Sequence, residues 1–220
     1  MDETFWQQRW RDNKTSFHEG RPNALLTAEF RRLALRSDGR VFVPLCGKSG
    51  DLDWLLAQGC RVAGIEFNRS AVEAAFERLR LRPDVTVDIA GPSRLIRYES
   101  GALTLFAGDF FDLTAELLGP VDAVYDRAAL VALPQDRRPE YARHLTAITD
   151  GAPQLLITYE YDQTQMDGPP FSVDAAETAR LYDRSHLPER LISRPISGPL
   201  AQRCDGSETA WLLAQRTAER

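Results

Sequence analysis

The feature that most constrains this chain is a rhythm. From Arg40 onward, short β-branched or aromatic runs alternate with amphipathic stretches of helical length. Such alternation builds βαβ units, whose right-handed crossovers lay helices on both faces of a mostly parallel sheet. The pattern predicts strands over 40–44, 61–65, 85–89, 94–98, 103–107, 121–125, 154–158 and 209–214, the last one antiparallel, and helices from Leu52, over 71–79, 136–149 and 174–182. Glycine or proline marks several boundaries, as at Gly59 and Pro83. In sheets of this kind ligands bind beyond the carboxyl ends of the strands, so functional residues are expected just after each one.

Nothing in the composition opposes this reading. With 220 residues, 43% hydrophobic and 27% charged, the chain can bury a substantial core without staples. No linker-like tract divides it, so one domain over 1–220 is expected, with a helical N-terminal segment over 1–36 ahead of an α/β core over 37–220. Cys46, Cys60 and Cys204 are odd in number and lack CxxC spacing, which predicts reduced thiols and no metal site. A net charge of −5 disfavours nucleic acid as a partner. The charged first residues lack a signal-peptide core, and no apolar run reaches the length of a membrane span, so a cytoplasmic protein is expected. Every amphipathic element has a place in the fold, which favours a monomer.

Four strand ends carry polar groups suited to a nucleoside ligand. After the first strand, Pro44-Leu-Cys-Gly-Lys-Ser-Gly50 makes a turn at Gly47 and opens a helix. It is not a Walker A loop, because Phe42 stands where the first glycine belongs, and no GxGxxG is present. Glu66 ends the second strand 19 positions after Gly47, where an acid can accept from both ribose hydroxyls. Asp109 follows the strand over 103–107, placed to accept from an adenine amine with Phe110 or Phe111 flanking the ring. Asp126 and Arg127 follow the strand over 121–125 as an acid–base pair, with Arg127 facing the ligand. The succession fits a class I S-adenosylmethionine methyltransferase, a Rossmann-like fold, better than a nicotinamide oxidoreductase. The sequence Asp126-Arg-Ala-Ala, in place of an Asn-Pro-Pro-Tyr type tetrapeptide, disfavours an amino group as methyl acceptor.

Longer segments resemble the thiopurine S-methyltransferases, the bacterial ones in particular. They are Trp6-x3-Trp10, Lys14-Thr-Ser-Phe-His18, Val43-Pro-Leu-Cys-Gly-Lys-Ser49, Ala63-Gly-Ile-Glu66, Tyr125-Asp-Arg-Ala-Ala-Leu-Val-Ala-Leu133 and Gly168-Pro-Pro-Phe171. The resemblance implies methyl transfer from S-adenosylmethionine to the sulfur of an aromatic or heterocyclic thiol. Bacterial relatives are also associated with selenium and tellurium oxyanion detoxification. It places Trp10, Leu45, Glu66 and Arg127 at cofactor-contacting positions, Asp109 and Phe110 where the chain passes the adenine, and Phe17 on the substrate side.

The residues agree with that assignment. Phe5, Trp6, Trp10 and Phe17 are too many large aromatics for a loose tail, and predict an N-terminal lid over the cofactor. Phe17, Pro170 and Phe171 are expected to line an apolar acceptor pocket, with His18 as an alternative proton acceptor. Aromatic thiols ionise near neutral pH, so the expected catalytic work is alignment, with Arg127 and Asp126 as the polar pair nearest the chemistry. A non-catalytic S-adenosylmethionine sensor, or a small-molecule methyltransferase with another acceptor, is the rival reading of the same crevice.

Overall fold

The computed structural model describes residues 21–88 and 95–216. Its centre is a nine-stranded sheet of order β3-β4-β5-β2-β1-β6-β7-β9-β8. The strands are β1 (Arg40–Val43), β2 (Arg61–Glu66), β3 (Asp84–Asp88), β4 (Leu95–Ser100), β5 (Leu103–Ala107), β6 (Ala123–Asp126), β7 (Gln154–Tyr161), β8 (His186–Pro195) and β9 (Gly206–Gln215). The helices are α1 (Ala24–Glu29), α2 (Gly50–Ala57), α3 (Arg69–Leu79), α4 (Ala115–Leu118), α5 (Arg138–Ile148) and α6 (Ala175–Tyr182).

The five middle strands, β5-β2-β1-β6-β7, are parallel throughout. Covered on both faces, they read as nearly continuous apolar runs, as in Leu103-Thr-Leu-Phe-Ala107, which is buried along its whole length. Successive side chains alternate between two cores. Val41 and Val43 join Leu25 and Leu26 of α1, Leu52 and Leu55 of α2, and Val72 and Phe76 of α3. Phe42 points the other way, into a cluster with Tyr141 and Leu145 of α5 and Tyr182 after α6 has begun its last turn. Each fully buried Leu or Phe contributes about 2 kcal/mol by leaving water.

Antiparallel pairing is more extensive than the sequence predicts. β3, β4 and β5 form an antiparallel meander at one edge, and at the opposite edge β9 inserts between β7 and β8 and runs antiparallel to both. The lid expected from Phe5, Trp6, Trp10 and Phe17 lies outside the described residues, and the rest of the N-terminal segment packs on the sheet. Leu25, Leu26 and Leu33 are buried in the sheet's core, so residues 24–33 form a layer on one face. Asn23 begins this layer, its side chain accepting from the N–H groups of Leu25 and Leu26 as the cap of α1.

Gly64 in β2 is closely packed between neighbouring strands. A Cβ there would stand 2.9 Å from Leu105, 3.0 Å from the Cys46 sulfur and 3.2 Å from the Val43 carbonyl. Gly64→Ala is expected to destabilise the chain by about 2 kcal/mol, since overpacked cores shift backbone and rotamers. Thermal unfolding should show a midpoint lowered by about 5 °C; an unchanged midpoint would mean that β1 and β2 yield more readily than this packing suggests.

Candidate active site

The strand order makes neighbours of the four predicted strand ends. Asp109 follows β5, Glu66 ends β2, Leu45 and Gly47 follow β1, and Arg127 follows β6, in the contiguous order β5-β2-β1-β6. Because these strands are parallel, all four groups lie along one edge of the sheet. The chain also reverses its winding between β1 and β6, the place where such sheets open a crevice.

The loop after β1 is shaped by its own backbone. Leu45 and Gly47 both take left-handed conformations, with φ of 45° and 53°. The left-handed region is costly for leucine, and strain of this kind concentrates at functional turns. Ala128, the second residue after β6, is likewise left-handed at φ 61°. From outside, Arg78 of α3 clamps the loop, donating to the carbonyls of Lys48 at 2.6 Å and Ser49 at 3.0 Å while forking onto Asp53. Ser49 then caps α2 by accepting from the Asp51 N–H.

Glu66 is the keystone of this edge. One carboxylate oxygen accepts from the Gly47 N–H at 2.9 Å and the other from the Asn68 N–H at 2.8 Å. Its carbonyl accepts from Gly108 N–H, which joins the loop after β5 to the same residue. Burial pushes the Glu66 carboxyl up to about 7, against the backbone N–H groups of Asn68, Gly47 and Phe67 that favour its ionised form. A carboxylate has about four acceptor sites, so the backbone bonds leave capacity for a ligand hydroxyl. A ribose diol fits that donor demand.

Asp109 is half-buried, and one of its oxygens accepts from the Phe111 N–H at 3.0 Å, capping a short 3-10 turn. The neighbouring aromatics divide the work differently from the expectation for Phe110. Its ring is 1% exposed and packs against Tyr141 and His144, which makes it core. Phe111 is the half-buried ring of the two.

Asp126 and Arg127 do not form a pair. Asp126 is 0% exposed and accepts from the Tyr141 hydroxyl at 2.7 Å and the Leu130 N–H at 3.2 Å. Burial pushes its carboxyl up to about 6. It faces the α5 side of the sheet, because side chains along a strand alternate, whereas Tyr125 belongs to the opposite core. Arg127 turns with Tyr125 and meets Asp51 of α2, 3.5 Å from its carboxylate. Asp51 is buried and also accepts from the Tyr125 hydroxyl at 3.0 Å and the Asn23 N–H at 2.7 Å. Sequence reasoning passed over Asp51, since an acid in the first turn of a helix is commonplace.

Pro170 and Phe171 arrive at the same edge from the loop after β7. The Phe171 N–H donates to the Val131 carbonyl at 2.7 Å, and the Tyr161 hydroxyl donates to the Pro170 carbonyl at 2.6 Å. Buried Arg138 secures the arrangement, donating to the carbonyls of Leu133 and Ser172 and pairing with Glu177 at 2.6 Å. The loop is therefore held against the segment that follows Arg127. Trp10, Phe17 and His18 lie outside the described residues.

Among the described residues, no group of three or more His, Cys, Asp or Glu side chains is placed to hold a metal ion. The three cysteines are free and buried. No described helix is long and apolar enough to cross a membrane.

Comparison with known proteins bears on the family and the fold. A family model described as "Thiopurine S-methyltransferase (TPMT)" matches residues 1–199. A thiopurine S-methyltransferase from Xanthobacter autotrophicus is 49% identical over 214 residues, covering 97% of this chain and 99% of its own length. One from Gluconobacter oxydans is 46% identical over 207 residues, covering 94% and 92%. Among solved structures, Burkholderia thailandensis 1,6-didemethyltoxoflavin-N1-methyltransferase, with bound 1,6-didemethyltoxoflavin and S-adenosylhomocysteine, superposes with a TM-score of 0.64 at 14% identity, covering 96% of this chain and 87% of that one. At that identity the likeness concerns the fold.

Proposed function

The chain belongs to the thiopurine S-methyltransferase family and is an S-adenosylmethionine-dependent methyltransferase, and from that premise we propose that it methylates the sulfur of aromatic or heterocyclic thiols. The observation that carries the reading is the convergence of Gly47, Glu66, Asp109 and Arg127 on one sheet edge, with Glu66 bonded to the backbone of two of the loops. In this reading Glu66 accepts from the ribose hydroxyls, Asp109 accepts from the adenine amine, and the Leu45–Gly47 turn brings main chain against the ligand. Trp10 adds an aromatic contact, as the family resemblance implies. The cofactor supplies an electrophilic methyl group on a sulfonium.

What remains for the protein is to hold a nucleophilic sulfur in line with that methyl and to keep water away. Positioning of this kind is worth several kcal/mol of barrier. Arg127 orients the anionic form of the acceptor, and Phe171 and Pro170, with Phe17 and His18, form the acceptor side. Asp126 acts as a positioning residue: it accepts from the Leu130 N–H and so holds the turn after Arg127. The protein works in the cytoplasm, a reading that its free buried cysteines support, and as a monomer, because each amphipathic element of the sequence has a place in the fold.

Incubation with S-adenosylmethionine and thiophenol tests the proposal. Equal amounts of methyl phenyl sulfide and S-adenosylhomocysteine are expected. Binding of S-adenosylmethionine without product from thiophenol, a heterocyclic thiol or a selenium or tellurium oxyanion would favour the non-catalytic sensor instead.

A further inference from the structure

The polar network behind Arg127 is larger than an arginine at a strand end requires. Asp51 gathers partners from three separate segments: it accepts from the Asn23 N–H ahead of α1 and the Tyr125 hydroxyl within β6, and it forms an ion pair with the guanidinium of Arg127 just beyond β6, at 3.5 Å. The side chains of Asp51 and Arg127 are only 3% and 7% exposed. Burying a carboxylate is costly, and an apolar side chain of similar volume commonly serves stability as well or better. Nearby, the ion pair between Glu208 and Arg194 ties β8 to β9, and Glu208 accepts from Asn23 Nδ2 at 3.5 Å, so the N-terminal layer has a second polar anchor. Asp51 is distinguished from that anchor by touching Arg127.

We propose that Asp51 is a positioning residue for methyl transfer, fixing the guanidinium of Arg127 from behind, with Tyr125 and the Asn23 backbone holding the carboxylate in place. The inference rests on the acceptor-orienting role given to Arg127 above. Its physical basis is that an arginine side chain has several rotatable bonds, and an acceptor aligned by a wandering guanidinium loses the in-line geometry on which the rate depends. A carboxylate held by two further donors restricts that motion without itself meeting the acceptor. Asp51 sits on the first turn of α2, where the helix dipole favours a negative charge, so the anchor is supported on a rigid element.

A double-mutant cycle with thiophenol tests this, measuring kcat, KM and thermal midpoint for wild type, Asp51→Asn, Arg127→Ala and the double variant. Asp51→Asn is expected to lower kcat about tenfold in the wild-type background and less than twofold once Arg127 is alanine, because the effect travels through that residue. A purely structural Asp51 would lower the thermal midpoint equally in both backgrounds and leave kcat uncoupled; equal tenfold losses in both, or no loss in wild type, would overturn the proposal. Wild-type turnover in Arg127→Ala would sink the Arg127 reading and this one together, whereas a slow Arg127→Ala beside a fully active Asp51→Asn would sink this one alone. Should Asp51→Asn fail to unfold cooperatively, Tyr125→Phe replaces it in the cycle, removing one hydroxyl from Asp51; a loss of about threefold that vanishes in the Arg127→Ala background supports the proposal, and wild-type kcat overturns it.

Discussion

Replacing Glu66 by alanine is expected to weaken binding of S-adenosylhomocysteine by at least about 100-fold, the largest effect on the cofactor from any single residue of the edge. Two losses combine. A carboxylate accepting from two hydroxyls makes charge-assisted hydrogen bonds worth about 1.5–3 kcal/mol each. The same change strips the Gly47 and Asn68 N–H groups of their acceptor, and so loosens the turn that approaches the ligand.

The pH dependence of binding separates the two losses. The ligand-free carboxyl titrates at about 7 because it is buried. Hydroxyl donors favour its ionised form and lower that value in the complex, so a proton is released on binding and affinity rises with pH across the range below 7. Calorimetry from pH 6 to 8 should show tighter binding at the alkaline end, by up to about tenfold per pH unit at the steepest. Glu66→Gln should bind weakly with a flat profile. A flat profile in the wild type would take Glu66 off the ribose. Stability of the free protein runs the opposite way: the folded value stands above the ordinary carboxyl range, so stabilisation present in acid is lost as pH rises through 7, about 3 kcal/mol in all.

Arg127→Ala should lower kcat with an aromatic thiol by about 100-fold. It should also lower stability by about 2 kcal/mol, seen as a thermal midpoint reduced by about 6 °C. The second effect follows from structure that the sequence does not display, since removing the guanidinium takes the cation away from buried Asp51, which keeps two neutral donors among the described residues. Arg127→Lys keeps the charge but not the planar fork, and should recover most of the stability and little of the rate. Wild-type turnover in Arg127→Ala would remove this residue from the acceptor side altogether.

The middle strands are legible because they are buried on both faces, where only a continuous apolar run satisfies two cores at once, and the partly exposed β3 and β4 also fall within a residue or two of the expected 85–89 and 94–98. β1, β2, β5, β6 and β7 were all readable on that ground, within a residue or so at most ends. β8 escaped notice: His186-Leu-Pro-Glu-Arg-Leu-Ile-Ser-Arg-Pro195 carries five charged or polar residues and two prolines, a pattern that only an exposed edge strand tolerates. β9 extends to Gly206, where the polar Gly206-Ser-Glu208 start conceals pairing with the far end of β7. Gly206 is required there, since a Cβ would fall 2.2 Å from the Glu160 carbonyl oxygen.

For the site, the order of residues along the chain is enough to set which groups stand at strand ends, and therefore that Gly47, Glu66, Asp109 and Arg127 share an edge once the strands run parallel. Where the side chains turn is a property of the folded chain alone. Asp126 and Arg127 are adjacent in the chain yet reach different cores, one bonded to Tyr141 and the other to Asp51, because the pleat alternates. Asp51 became visible for a related reason. Nothing in its own helix marks it, and its significance comes from two hydrogen-bond donors and one cation brought together across the sheet from positions 28, 74 and 76 residues away.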